Sequence, residues 1–133
     1  IFFYNVYGPR QIKFGHMATV IGIFEHQYLN KKPLSIVRPG SQTRRFTHIH
    51  DTIKVCYDAF KADKSRYYSI SNKNSYSIIE VTKMFKSKIL FLKPRLGERY
   101  ASALTKITHN NKIIHKFGKI QLKDYISSFI KSH

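Results

Sequence analysis

The stretch RPGSQTRRFTHIHD, from Arg38 to Asp51, decides how the rest of the chain is read. It opens with Pro39, Gly40, Ser41, Gln42 and Thr43, a cluster with turn chemistry. Two adjacent arginines follow, and RRFTHIH then alternates as a strand does, with Phe46 and Ile49 apolar. Asp51 has the side chain of an N-cap. Behind it Ile53, Cys56, Tyr57 and Phe60 recur at helical spacing, which predicts an amphipathic helix with those four turned inward. The local order is turn, strand, capped helix. Successive strand residues face opposite ways, so Arg44 and Arg45 are expected to point at different things.

Upstream, IFFYNVY (1–7) reads as one buried strand ended by Gly8-Pro9. Met17, Val20, Ile21, Phe24 and Tyr28 predict an amphipathic helix over roughly 17–30, stopped by Pro33, and LSIV (34–37) predicts a short strand. Downstream, YYSIS is a strand. Ser77 and Glu80 form a Ser-x-x-Glu capping box opening a helix that turns Ile78, Val81 and Phe85 inward. KILFL is a further strand, ended by Pro94, and the loop RLGERYASA follows. A helix is predicted near 106–117, ended by Gly118 as a C-cap. The last helix buries Leu122, Ile126, Phe129 and Ile130. Strands alternating with helices argue for an α/β unit.

The totals bound the answer. One domain's worth of chain, 133 residues, is 42% hydrophobic and evenly patterned, a globular composition. No apolar run reaches the roughly 18 residues of a membrane span, and IFFYNVYGPR lacks the basic start and cleavage site of a secretory signal. The lone Cys56 excludes an internal disulfide, fits a reducing, cytoplasmic compartment and reads as a small buried hydrophobe. A net charge of +17 raises nucleic acid as a partner. The lysines are scattered, however, and the aromatic residues fall at helix-core spacing instead of interleaving with arginine on one strand face. A small basic nucleic-acid-binding protein is therefore the second reading.

Several chemistries find no support. His48 and His50 share a strand face, but a metal site needs further clustered ligands and the sequence offers none, so no metal is expected. The six glycines stand at 8, 15, 22, 40, 97 and 118, so no G-x-G-x-x-G phosphate turn exists. Tyr28 to Lys32 and Tyr57 to Lys61 match Tyr-x-x-x-Lys, as chance predicts in a chain this rich in both residues. Arginines carry more information. Arg44 begins a strand and Arg95 follows one, positions from which a guanidinium fork can hold a phosphate, and Glu98 adds an acceptor for hydroxyl groups.

The whole chain, in order, resembles the later part of the extended short-chain dehydrogenase/reductases, the NAD-dependent nucleotide-sugar epimerases and dehydratases. FFYNVYGPRQ resembles the strand and loop that follow their catalytic Tyr and Lys. MATVIGIFEHQYLNKKPLSIV is similar to their next helix and strand. RPGSQTRRFTHIHD resembles their Gly-Asp-Gly-x-Gln-x-Arg-Asp-Phe segment, SISNKNSYSIIEV their Asn-x-Gly-x-Gly-x-x-x-Ser-x-x-Glu segment, and PRLGER their Pro-x-Arg-x-Gly-Glu/Asp. FGK and the last helix are similar to their Leu-Gly-Trp and terminal helix. UDP-glucose and UDP-N-acetylglucosamine 4-epimerases are the nearest group. Two departures stand out: the family's Gly-Asp-Gly is Arg38-Pro39-Gly40, and its Asp after the gripping arginine is Arg45.

The resemblance implies an α/β fold: the substrate-binding part of such an enzyme, with residues 1–15 as a strand and loop left from a Rossmann domain and 16–133 as the nucleotide-sugar domain. It implies that Arg44 and Arg95 grip the pyrophosphate of a UDP-sugar, that Asn5 reaches the same phosphates, and that Glu98 holds the ribose. Thr19 and Val20 would touch the substrate from their helix, Gln11 would lie near the sugar, and Ser35–Val37 would read the uracil through its main chain. The Gly-rich turn and the catalytic Tyr-Lys pair would lie upstream of Ile1. The chain is then expected to be a fragment that carries no catalytic residue, is inactive alone, and depends on a Rossmann half holding NAD. The resemblance further implies that the complete enzyme can pair as a homodimer.

Overall fold

The computed structural model describes residues 1–62, 66–94 and 113–133. Its strands are β1 (Phe2–Phe3), β2 (Val6–Tyr7), β3 (Leu34–Val37), β4 (Thr43–Arg44), β5 (Thr47–His48), β6 (Tyr67–Ser71), β7 (Tyr76–Ser77), β8 (Ile89–Leu92) and β9 (Ile113–Phe117). The helices are α1 (Val20–Leu29), α2 (Ile49–Ala62), α3 (Ile78–Met84) and α4 (Leu122–Lys131). A parallel sheet runs β1-β6-β9 with β6 in the middle, aligning Phe2 with Ser69 and Tyr68 with Ile114. β2 pairs with β5 and β3 with β8, both parallel, while β4 and β7 are antiparallel. Among the described residues no helix is long and apolar enough to cross a membrane.

The main core gathers Tyr7, Ile21, Phe24, Leu34, Ile36, Phe46, Ile78, Val81, Phe85, Leu122 and Ile126. Every described helix except α2 contributes to it, and β3 joins through Leu34 and Ile36, which holds its parallel partner β8 in register. Fully burying one such aliphatic side chain contributes about 1.5–3 kcal/mol. A smaller cluster of Val55, Tyr68 and Ile70, joined by Ala59 and Ile114, seats α2 on the three-stranded sheet.

Local signals held where both partners lie close in sequence. The capping box at Ser77 is complete: its hydroxyl accepts from the Glu80 N–H at 3.2 Å, and the Glu80 carboxylate accepts from the Ser77 N–H at 2.6 Å. Those bonds hold the Glu80 carboxyl below its usual range. The turn after β3 carries a cis Arg38–Pro39 bond and Gly40 at φ +79°. A Cβ on Gly40 would lie 2.8 Å from Ile79 Cγ1, so the left-handed conformation and the close helix approach both require glycine.

Five expectations are corrected. The first strand is two pieces, broken at Asn5, whose φ of 40° is left-handed. Met17 lies outside the helix and is exposed, because α1 starts only after its Thr19 cap. Residues 113–117 form strand β9, not a helix end, because β6 offers them a full parallel partner; the rest of that predicted helix, 106–112, lies outside the described residues.

Helix α2 starts at Ile49, so Asp51 sits in its first turn and is not its cap. Its carboxylate instead accepts from the Ile120 N–H at 3.0 Å. Gly118 serves that contact too, since a Cβ there would lie 2.7 Å from Asp51 Oδ2. Finally, α2 is rotated from its expected face: Thr52 and Val55 are buried, while Ile53, Tyr57 and Phe60 are exposed and Cys56 is half-buried. Smaller side chains let the helix approach the sheet closely.

Candidate functional site

The ends of β3 and β8, the start of α1 and the kink at Asn5 converge on two adjoining cavities that share Val20. One, of about 140 Å³, is lined by Val20, Ser35, Val37, Gln42, Arg44 and Leu92 among others. The second, of about 210 Å³, is lined by Asn5, Ala18, Thr19, Val20 and Phe46 among others. Five of the eight residues proposed from sequence thus come together: Asn5, Thr19, Val20, Ser35 and Arg44. Gln11 joins indirectly, its Oε1 accepting from the Thr19 hydroxyl at 2.8 Å. Arg95 and Glu98 lie outside the described residues.

Local structure explains the placement. Asn is among the few residues that tolerate the left-handed region, and at that bend Asn5 sends its amide toward the Arg45 carbonyl, 3.4 Å away. Thr19 caps α1 by accepting from the Gly22 N–H at 3.0 Å, which fixes the helix start against the cavities. No acidic residue occupies the first turn of α1, so its positive end is not offset there. Neither cavity has an Asp or Glu among its described lining residues. The field inside is therefore set by Arg44 and a helix N-terminus, both favourable to an anion.

The paired arginines separate as strand alternation requires. Arg44 lines the first cavity, with its Nη1 donating to the Thr43 carbonyl at 2.8 Å. Arg45 turns away and donates from Nη1 to the carbonyls of Asn72 (3.0 Å) and Lys73. On β3 the Ser35 N–H donates to Gln27 Oε1 at 3.0 Å, and the Val37 carbonyl accepts from Gln42 Nε2 at 3.1 Å. Gln42 was missed from sequence. It is buried, and its Oε1 has no protein partner. Its position two residues before Arg44, on the same face by alternation, was the available signal.

A second polar cluster was also missed. Glu25, buried in α1, accepts from the Tyr125 hydroxyl at 2.6 Å. The Tyr125 ring lies 5.1 Å from Tyr7 and 5.6 Å from His48, and His50 packs edge-on to His48 at 4.8 Å. Burial, then the Glu25 bond, pushes the Tyr125 phenol up; burial, then Asp51, does the same to Tyr7. His48 is buried, against its expected partly exposed strand face, and burial followed by His50 lowers its pKa. Among the described residues no three His, Cys, Asp or Glu side chains cluster as a metal site would need.

The parallel strand pairs, with an anion-suited pair of cavities where β3 and β8 end, match the extended short-chain dehydrogenase/reductase fold of solved relatives. Residues 1–71 match the NAD dependent epimerase/dehydratase family, and the chain belongs to that family. UDP-glucuronic acid 4-epimerase from Bacillus cereus, solved with UDP-glucuronic acid and NAD, is similar at 26% identity and a TM-score of 0.76, covering 97% of this chain and 43% of that one. UDP-glucose 4-epimerase from Thermotoga maritima, solved with UDP-glucose, shares the fold at 22% identity and a TM-score of 0.79, covering 96% and 43%. UDP-glucuronic acid decarboxylase 6 from Arabidopsis thaliana is 29% identical over 87 residues, 65% of this chain and 24% of the relative. The chain thus spans less than half the length of these relatives.

Proposed function

We propose that this chain is the substrate-binding part of a nucleotide-sugar epimerase or dehydratase and holds the UDP of a UDP-sugar. The carrying observation is the convergence of Asn5, Thr19, Val20, Ser35 and Arg44 on adjoining cavities that contain no described acid. Arg44 takes the pyrophosphate, Asn5 and the α1 N-terminus stand on its other side, and the end of β3 faces the base. Arg95 and Glu98 add a second cation and a ribose acceptor. Residues 16–133 form the substrate unit, and 1–15 contribute a strand and loop to the nucleotide-binding unit. The β1–β6 pairing supports this, since it joins the two units in one sheet.

NAD serves the complete enzyme from elsewhere in the fold. Its pyrophosphate needs paired glycines before a helix, and none of the described helix starts offers them. Remote contacts of this kind orient a sugar for chemistry done by other groups. The free Cys56 fits a cytoplasmic setting.

Calorimetry with UDP-glucose and UDP-glucuronic acid tests the reading. A hydrogen bond to a charged group contributes about 1.5–3 kcal/mol, so Arg44→Ala should weaken UDP-sugar binding by roughly ten- to a hundredfold. Arg44→Lys should restore only part, lacking the planar fork. Bound sugar should be recovered unconverted when NAD is added. Unchanged affinity in Arg44→Ala, or reproducible C4 epimer formation by this chain, would overturn the corresponding half of the proposal.

A further inference from the structure

A separate cleft of about 500 Å³ opens at the other end of β3 and β8, where those strands begin. Its lining includes Lys31, Lys32, Lys86, Lys88, His133 and the Tyr28 ring. The lysines are exposed, but their backbones are fixed. The Lys31 N–H donates to the Tyr28 carbonyl and the Lys32 N–H to the Gln27 carbonyl, both at 2.9 Å. The Lys86 N–H donates to the Lys83 carbonyl at 3.2 Å, and the Lys88 carbonyl accepts from the Leu34 N–H at 2.8 Å. Four ammonium groups are thus carried by rigid element ends around one concavity.

Two observations set this cleft apart from ordinary lysine-rich surface. Lys31 and Lys86 both have φ of 53°, each in the residue after its helix cap, where Gly or Asn is the low-strain choice. Lysine is held there against backbone preference. Every described acidic side chain also stands elsewhere in the fold: Glu25 bonds Tyr125, Asp51 the Ile120 N–H, Asp58 pairs with Lys54, Glu80 closes its capping box, and Asp124 lies in the first turn of α4. None belongs to the lining.

The bland account is that these lysines offset the negative ends of α1, α3 and α4. A helix end carries roughly half a unit charge, so three ends and the α-carboxylate that His133 carries in this chain oppose the four ammonium groups with only about 2.5 units. Positive charge remains in excess. Lysine is also a compact point charge on a flexible stem, with no demand for a planar partner.

We propose that this cleft binds a condensed phosphate group, a di- or triphosphate chain, at a site distinct from the nucleotide-sugar cavities. A nucleic-acid backbone would instead need basic residues strung along an extended groove, whereas these surround a single cleft. The shared chemistry is the phosphate chain, supplied either as inorganic tripolyphosphate or by a nucleoside triphosphate.

The test is calorimetry of the whole chain with inorganic tripolyphosphate and, in parallel, ATP. The double variant Lys32→Gln/Lys88→Gln avoids both left-handed positions, and an unchanged melting curve would show that it folds. Tripolyphosphate affinity should fall about tenfold or more in that variant. It should hold in Arg44→Ala and in the control Lys54→Gln/Lys123→Gln, which removes the same charge from α2 and α4. Equal loss in both ATP and tripolyphosphate identifies the phosphate chain as the recognised group; a loss confined to ATP would overturn that assignment. No binding to the unsubstituted chain, or equal weakening by the control pair, would sink the site. Loss in Arg44→Ala alone would return the anion to the nucleotide-sugar cavities, so failure here and failure of the proposed function are distinguishable.

Discussion

Arg45 ties the end of the β4 strand to the loop after β6 through two main-chain carbonyls. Removing it leaves two acceptors short of a donor in a partly buried place. Arg45→Ala should therefore lower stability by about 1–3 kcal/mol, read as a shift of the urea midpoint, with UDP-sugar affinity much less affected than in Arg44→Ala. A large affinity loss with unchanged stability would reverse the roles of the two residues. His48 makes a second residue-scale prediction. Its folded pKa lies below the ordinary 6.5, so between those values the unfolded chain binds more protons. Stability from the neutral ring is complete above 6.5 and is lost as pH falls toward the lowered value. The Tm of the chain should drop as pH falls below the ordinary 6.5, and His48→Phe should flatten that drop. An identical slope in the variant would assign the acid sensitivity to other groups.

At the scale of elements, α2 carries the clearest prediction. Its outward face presents Ile53 at 56%, Tyr57 at 54% and Phe60 at 81% exposure. An exposed apolar stripe favours self-association. Sedimentation across a concentration series should show the chain associating, and Ile53→Ser/Phe60→Ser should shift it toward monomer. Concentration-independent behaviour of the unsubstituted chain would contradict this. The same helix shows what a sequence can and cannot disclose. Its existence is legible from periodicity, but periodicity alone does not say which face turns inward. The sheet it packs against accepts Val55 and Ala59 because they permit close approach. The capping box at Ser77 was legible because both bonds close within four residues. β9 was not, because its partner Tyr67–Ser71 stands far back in the chain.

For the whole molecule, the α/β class was legible because ordered motifs at consistent spacing carry topology; of the residues named through that resemblance, Asn5, Thr19, Val20, Ser35 and Arg44 line adjoining cavities. Asp51 could not be read as a brace for Ile120, nor Glu25 as the partner of Tyr125, since each contact spans much of the chain. The same long spans explain why the basic cleft was invisible among scattered lysines. Its four ammonium groups come from two helix ends more than fifty residues apart, and the parallel pairing of β3 with β8 makes them neighbours.

The Tyr7 hydroxyl donates to the Ile120 carbonyl at 3.3 Å, and Leu122 and Ile126 complete the core that Tyr7 begins. On a ribosome this means that Tyr7 waits for a partner synthesised 113 residues later. The first strands can emerge and pair with β5 and β6, yet the apolar surface around Tyr7, Phe24 and Phe85 stays open until α4 has left the exit tunnel. Synthesis proceeds at about 5–20 residues per second, so each nascent copy spends several seconds with an unfinished core. Translation speed and holding chaperones then bear on how much of the chain reaches its native form.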